Sequence, residues 1–490
     1  MIIKRRIMIA AYLVSVLLAG NVVYMGMCVL PLPFWLAVIV SILPLVVSVG
    51  WLFFRKSSIL RHIFRIAGAL FVGALCLFGT FCNPYWGGYM FHDSAPITRS
   101  ADTALGREQV EADLDFLNEA LLRIHPLFLD GEPEEFRAAL DEAKRSLAFQ
   151  STITVNDLRR AAQTAVSSLS DAHTTVYART EADRYRADYA EMKKTGYEII
   201  AVNGVPYEDF FRENCRLVSY EAESWADEQF EGYLNSESGL TYLGFSTDGF
   251  TLTYSNGEEE ITKSYTDADF LPYDEYMAKN AAYYEASESF VSYEIDEEKS
   301  LAILTLEECN FNDEYRRTLR EMFTEVKERG IRNVAVDLRG NGGGNSLVAN
   351  EFIRYLDVEQ YRDDGMKWRL GGFLLDFPVS VTENDRISDL TFTGNTYLLT
   401  SASSFSSAML FALYFKDNSL GTIIGETPGN AANSCGDVTL FRLPNSGLML
   451  RCSTKIFTRP SEESDDLFVE PDIPCSSEEA LERLYAMLAV

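Results

Sequence analysis

Three short segments of this 490-residue chain carry residue types suited to acyl transfer. The first, YLLTSASSFSSAMLFAL at 397–413, runs from a strand-like stretch through five serines directly into a helix-like stretch. A serine that opens a helix sits beside free N–H groups and the positive end of the helix dipole, which suits a nucleophile whose attack creates an oxyanion. Serine also caps helices with no chemical role, so the run alone admits both readings. The second, VAVDLRGNGGGNS at 334–346, places three successive glycines after an apolar strand. Such a loop can converge backbone amides on an anion. No GK[ST] follows and the GxGxxG frame is absent, so a nucleotide phosphate is not indicated; an oxyanion hole or an ordinary tight turn remains. The third, LSDAHTTVY at 169–177, contains His173. A serine nucleophile needs a base that titrates in the useful range, although a lone histidine is often structural.

The elements around these segments must bring them together. From Arg107, apolar residues recur at steps of three and four: Val110, Leu114, Leu117, Leu121 and Ile124. Phe136, Leu140 and Ala143 begin a second stripe, and Leu158, Ala161, Ala162, Ala165 and Leu169 a third, predicting a small helical subdomain that ends just before His173. Between 176 and 290, GYEIIAVNGVPYEDF and FTLTYSNGEEEITKSYT each set β-formers around an Asn-Gly turn, predicting a small β-rich module. From Ser300 strand and helix alternate: LAILTL, helix 315–329, NVAVDL, helix 346–356, TYLLTS, helix 406–415 and GTIIG. That order predicts an α/β layer built on ββα units. The expected organisation is 1–92 membrane region, 93–175 linker and helical subdomain, 176–290 β-rich module and 291–490 catalytic core.

Taken in order, these pieces resemble the C-terminal processing peptidases and tricorn-core serine peptidases. The resemblance runs from about Arg107 to the end, through the D-x-H-T segment at 171–174, DLRGNGGG at 337–344, the serine-rich turn, IIGETPG at 423–429 and VEPDI at 469–473. It implies a crotonase/ClpP-like catalytic core and serine-type peptidase activity on peptide or protein substrates, with no cofactor and no metal. GYEIIAVNGVPYEDF partly matches the end of the PDZ-like module that many members carry. By position, Ser406 takes the nucleophile's place, with Ser404 and Ser407 as fallbacks. The oxyanion hole resembles one made by Gly342 or Gly343 with the N–H of Ser407. The processing branch uses a lysine in the turn after the IIGE strand, but TPGNAANSCGD has none. The nearest downstream lysine, Lys455, lies in a strand-like run where a surface role is expected. The tricorn-like branch uses a histidine, whose position His173 matches; Ala172 stands where that branch has a serine. Its acidic member precedes the PD motif, which points to Asp465 or the adjacent Glu463.

The N-terminus is of another kind. Residues 7–30 and 34–54 are uncharged and apolar, and each is long enough to span a hydrocarbon core of about 30 Å; the apolar stretch 66–82 is shorter, near the lower limit of roughly 17 residues for a span. A signal peptide is the rival reading of the first, and a buried core helix of the third. Basic residues lie before the first stretch and between the second and third, which predicts a multi-pass cell-membrane protein with a cytoplasmic N-terminus and everything after residue 82 outside. Seven of the 43 basic residues and none of the 72 acidic residues precede Asp93, leaving 36 basic against 72 acidic beyond it. That excess argues against nucleic acid or anionic lipid as partner. The eight cysteines include no CxxC, and the four histidines are scattered, so neither a zinc site nor a disulfide framework is indicated. Three stretches without intramembrane charge offer a transporter no pathway. The competing class is a non-catalytic receptor or scaffold that binds peptide ends. Composition says nothing of oligomeric state.

Overall fold

The computed structural model describes residues 63, 64, 66–68, 70, 71, 84, 85, 87, 88, 96–283, 289–461 and 463–489. The apolar stretches 7–30 and 34–54, and most of 66–82, lie outside the described residues. Among the described residues no helix is long and apolar enough to cross a membrane.

The helical subdomain forms where the periodicity places it: α1 (Arg107–Ile124), α2 (Glu134–Ala148) and α3 (Val155–Ser167). The whole first stripe is buried. A capping box starts α3: the Thr154 hydroxyl accepts from Asp157 N–H at 3.1 Å, and Asp157 Oδ2 accepts from Thr154 N–H at 2.9 Å. Beyond α3 the chain reverses at Ser170, φ 48°, and enters β1 (Thr175–Tyr177). This strand pairs antiparallel with residues 449–451, so His173 is pinned between the helical subdomain and a distant sheet.

The central module corrects one expectation. Its four-stranded sheet holds β2 (Glu198–Val202), β3 (Val205–Pro206), β4 (Thr251–Ser255) and β5 (Glu260–Ser264), and the second Asn-Gly hairpin is present. More of the module is helix than strand, however, because the stretch between the two turns folds as helices. Phe230 and Leu234 of the helix Glu223–Asn235 enter the module's core, leaving Trp225 and Glu228 to face the serine-rich turn.

The core is a six-stranded sheet. Its spatial order is β6 (Val291–Asp296), β7 (Leu301–Leu306), β8 (Asn333–Asp337), then residues 395–400, 422–425 and 473–474. The first pair is antiparallel and every other pairing is parallel. The opening β6–β7 hairpin with the helix after it is a ββα unit; the next two crossovers each carry a helix, 347–353 and 407–417, while the last, from 422–425 to 473–474, carries the strands 434–442 and 449–458 and, among the described residues, no helix, a second correction. Apolar runs such as LAILTL are buried on both faces because helices cover both, as parallel sheets require. Ala302, Leu304 and Leu306 meet the helices 313–329, 347–353 and 407–417, while Leu301 and Ile303 meet the C-terminal helix 480–488. Of the three predicted core helices, the first is Asp313–Arg329 and the other two shift to Leu347–Ile353 and Ser407–Asp417, so Ser406 lies just outside the last.

A second, antiparallel sheet has no counterpart in the sequence reading. Its order is Phe373–Phe377, Gly365–Leu370, Met449–Thr458, Ser434–Arg442, with β1 joined to the third of these. It forms the wall opposite the parallel sheet. Because Asp337 and Leu399 are register partners on neighbouring parallel strands, the glycine loop and the serine turn leave the sheet side by side. Carboxyl ends of adjacent parallel strands are where α/β sheets hold their ligands.

Candidate active site

The serine turn sorts its five hydroxyls by what each one bonds. Ser401 Oγ donates to Arg339 O. Ser403 Oγ reaches Glu228 at 3.0 Å, Ser404 Oγ reaches Leu338 O at 2.7 Å, and Ser407 Oγ reaches Gly344 O at 2.8 Å. Both fallback serines are therefore buried ties that hold the turn to the glycine loop. Ser406 is half-buried, and among the described residues no hydrogen bond engages its Oγ. Its backbone sits at φ 56°, ψ −118°, at the N-cap of the helix 407–417. Such a conformation in a non-glycine residue costs on the order of 1–3 kcal/mol and persists only where neighbours fix it. Here the fixing is visible: Ser406 N–H donates to Asn430 Oδ1 at 2.7 Å, and Phe405 N–H donates to Asn341 O at 3.0 Å.

The glycine loop packs directly on this turn. Gly343 has φ +101°, and a Cβ there would lie 2.7 Å from Ser406 Cβ and from Phe405 O, so only glycine fits. Its own N–H, however, donates to Asn341 Oδ1 at 2.8 Å and is not free for an oxyanion. Gly342 is exposed to the cleft, with open space around its α-carbon. Ser407 N–H is the first of its helix and has no preceding turn to accept it. Of the three residues expected at the oxyanion hole, Gly342 and Ser407 thus remain as donors, and Gly343 becomes the spacer that lets the loop approach.

His173 shares a cleft of about 810 Å³ with Ser406, Gly342 and Ser407. It is 4% exposed, and neither ring nitrogen has a hydrogen-bond partner among the described residues. Nδ1 lies 3.9 Å from Asp171 Oδ1. Nε2 points past Gly436, being 3.6 Å from where a Cβ on that glycine would sit. Burial, with a further push from Arg451, outweighs the attraction of Asp171 and lowers the imidazole to about 4, so His173 is neutral near pH 7. Burial works against the Asp171 charge. The hydrogen bonds from His125 Nε2 at 2.9 Å and Thr174 Oγ1 at 2.6 Å, with the nearby imidazoles, more than compensate and hold it below the usual carboxylate range.

Two acidic groups therefore surround the imidazole, and neither is the one counted back from the PD motif. Glu463 and Asp465 lie on the exposed polar loop 461–466; Asp465 lines a separate cleft beside Gly365 and Ser461, and neither lines the cleft of Ser406. The loop stays out because every residue in it is polar, while Arg459 anchors its ends through Asp417 and Asp466 O. The neighbours of His173 are Asp171 and Glu221, whose ligand-type atoms lie within 4.8 Å of one another and of the imidazole. His125, Asp171 and Cys435 form a second such group. Both groups have the donor types of an ion site, but Asp171 is already engaged by protein hydrogen bonds, and Glu221 accepts from Ala431 N–H at 2.6 Å and Ala172 N–H at 3.3 Å. Burial and the Asp171 charge push Glu221 up to about 8.

Asp171 had a signal in the sequence, since it stands two residues before His173. Glu221 and Trp225 had none. The Trp225 ring stacks on Phe405 at 4.1 Å and 12°, and Phe405 lies 4.5 Å from the His173 ring, so the central module supports His173 and the serine turn together. Lys455 also departs from expectation: it lines the same cleft, where it is paired with Asp437.

Residues 300–475 match peptidase family S41. No curated protein matches the chain. Among solved structures, the fold is similar to mature CPAF complexed with lactacystin, with a TM-score of 0.55 and 13% identity over 78% of this chain and 97% of that one. Mature CPAF alone gives 0.54 at 13% identity, over 78% and 96%. A photosystem II D1 C-terminal processing protease gives 0.45 at 13% identity, over 78% and 97%.

Proposed function

We propose that this chain, whose residues 300–475 match peptidase family S41, is a serine-type peptidase that cleaves peptide bonds through an acyl-enzyme on Ser406, with His173 as base. One observation carries this reading: Ser406 holds the uncommitted hydroxyl of the turn and opens into the cleft that holds a neutral, unpartnered imidazole. In the proposed mechanism, His173 Nε2 takes the Ser406 proton as Oγ attacks the scissile carbonyl. The N–H groups of Ser407 and Gly342 receive the oxyanion. Asp171 stabilises the imidazolium through Nδ1. His173 then gives its proton to the leaving amine, and a water, deprotonated by the same imidazole, releases the acyl group. No cofactor enters. The absence of a lysine in the turn 427–437 favours the tricorn-like, histidine-dependent branch over a Ser–Lys dyad.

We further propose that the stretches 7–30, 34–54 and 66–82 anchor the chain in the cell membrane, with the catalytic domain outside, on the basic-residue distribution. The Glu198–Val202 strand and Asn-Gly turn support a PDZ-like ancestry for the central module. Hydrolysis of peptides by the detergent-solubilised chain is the test. Ser406→Ala and His173→Ala should each abolish it with the melting temperature retained, whereas a non-catalytic scaffold would show no turnover for the variants to lose.

A further inference from the structure

The hairpin of Gly365–Leu370 and Phe373–Phe377 ends the antiparallel sheet, and among the described residues its outer strand pairs on one side only. On that strand Phe373, Leu375 and Phe377 are 73%, 39% and 48% exposed. Spaced by two, they project from one face. Three large apolar side chains in a row on a sheet edge are a feature that soluble surfaces avoid.

The register places Leu370, Trp368 and Met366 opposite them on the same face. Here the chain arriving from the N-terminus is fastened. Trp368 Nε1–H donates to the Tyr85 hydroxyl at 2.7 Å, Tyr85 donates to Arg369 O at 2.5 Å, and the Pro84 ring lies 3.7 Å from where a Cβ on Gly371 would sit. The apolar stretch 66–82 ends two residues before Pro84 in the sequence. The exposed row therefore flanks the point where the chain leaves its last apolar stretch. At the other end of the row, Phe377 and Met366 line the cleft of Ser406 and His173.

We propose that the face of Phe373, Leu375 and Phe377 beds into the lipid interface beside the last membrane span, so that the cleft takes polypeptide lying close to the membrane surface. The inference rests on the membrane anchoring proposed above. Aromatic and aliphatic side chains at the headgroup boundary gain apolar burial without a spanning segment. The acidic outer domain makes a zwitterionic surface the fitting one. The substrate class that follows is the membrane-proximal segment of an anchored protein, or an acylated peptide.

The test uses the full chain in phosphatidylcholine vesicles. Flotation after an alkaline wash reports anchoring by itself. Phe373→Trp is then compared with the parent in vesicles of brominated phosphatidylcholine, where the emission it adds should be strongly quenched. In parallel, Phe373→Ser/Leu375→Ser, which leaves Phe377 in place, should cleave an acyl-anchored peptide about tenfold more slowly than the parent while cleaving the free peptide at the parental rate. A chain that fails to float overturns the anchoring, and the inference with it. A chain that floats but whose added tryptophan is not quenched overturns the inference alone. Equal slowing on free and anchored peptide also overturns it, and assigns the face to the peptide groove.

Discussion

Gly343→Ala perturbs the closest approach in the proposed site. The new Cβ would stand 2.7 Å from Ser406 Cβ and Phe405 O and 3.0 Å from Ser407 N, at φ +101°. Two of these neighbours are backbone atoms of the nucleophile turn and the third is the nucleophile's own Cβ, so relief requires Ser406 to move by several tenths of an ångström. The disallowed φ costs on the order of 1–3 kcal/mol, and forcing a methyl into packed surroundings adds about as much. A loss of about 3 kcal/mol lowers the melting temperature by roughly 6–12 °C in a domain of this size. Misplacing a reacting group by about 1 Å can cost 10²-fold in rate. Gly342→Ala is the matched control: its Cβ meets nothing within 4 Å, its φ is not positive, and its N–H is retained. Melting by calorimetry and peptide turnover on the same preparations should show Gly343→Ala impaired in both and Gly342→Ala near the parent in stability. A Gly343→Ala protein with parental melting and parental turnover would refute the packing of this loop on the nucleophile.

His173→Ala should cut turnover by at least about 10³-fold, while Lys455→Ala, which removes a cleft-lining ion pair with Asp437, should retain most of it; the reverse order in steady-state kinetics would reassign the base. The imidazole held at about 4 should give an acid limb of kcat/KM near pH 4 rather than near the usual histidine range. The same shift should make stability fall as pH drops from about 6.5 toward 4, because the unfolded chain takes up the proton first; a pH series of melting curves reads the sign. Trp225→Ala, which removes the ring stacked 4.1 Å from Phe405, should lower kcat about tenfold with little change in KM, and Trp225→Phe should restore most of the loss; a change confined to KM would place Trp225 in substrate binding.

Much of the core was readable because its signals are local. LAILTL and NVAVD are apolar on consecutive positions, which only a sheet covered on both faces satisfies. The helical stripes and the Asn-Gly hairpin at 256–257 have short-range causes of the same kind. The glycine loop and serine turn were readable as a pair from the order of motifs that carries the family resemblance; that their strands are neighbours is seen in the register. The antiparallel sheet was not readable: Gly365–Leu370 finds its partner at 455–458, some ninety positions away, and no turn signal links them. The residues alone did not choose among the serines, which the resemblance ranked by position; what occupies Ser404 and Ser407 is visible only in their bonds to Leu338 O and Gly344 O. Counting from a motif put the acid on the loop 461–466, which tertiary packing leaves exposed. The carboxylates beside His173 come from its own segment and from the central module. Trp225 and Glu221 lie on the side of that module that faces away from its own core, a face no periodicity marks as buried.

The most direct measurement is the site of covalent capture. The detergent-solubilised chain is treated with a fluorophosphonate and the adduct mapped by peptide mass spectrometry. One phosphonyl group on Ser406, absent from His173→Ala at the same exposure and undiminished in Ser404→Ala that remains folded, is the predicted result. An adduct on Ser404 or Ser407, or none on a folded chain that hydrolyses peptides, would contradict the assignment of Ser406 and His173.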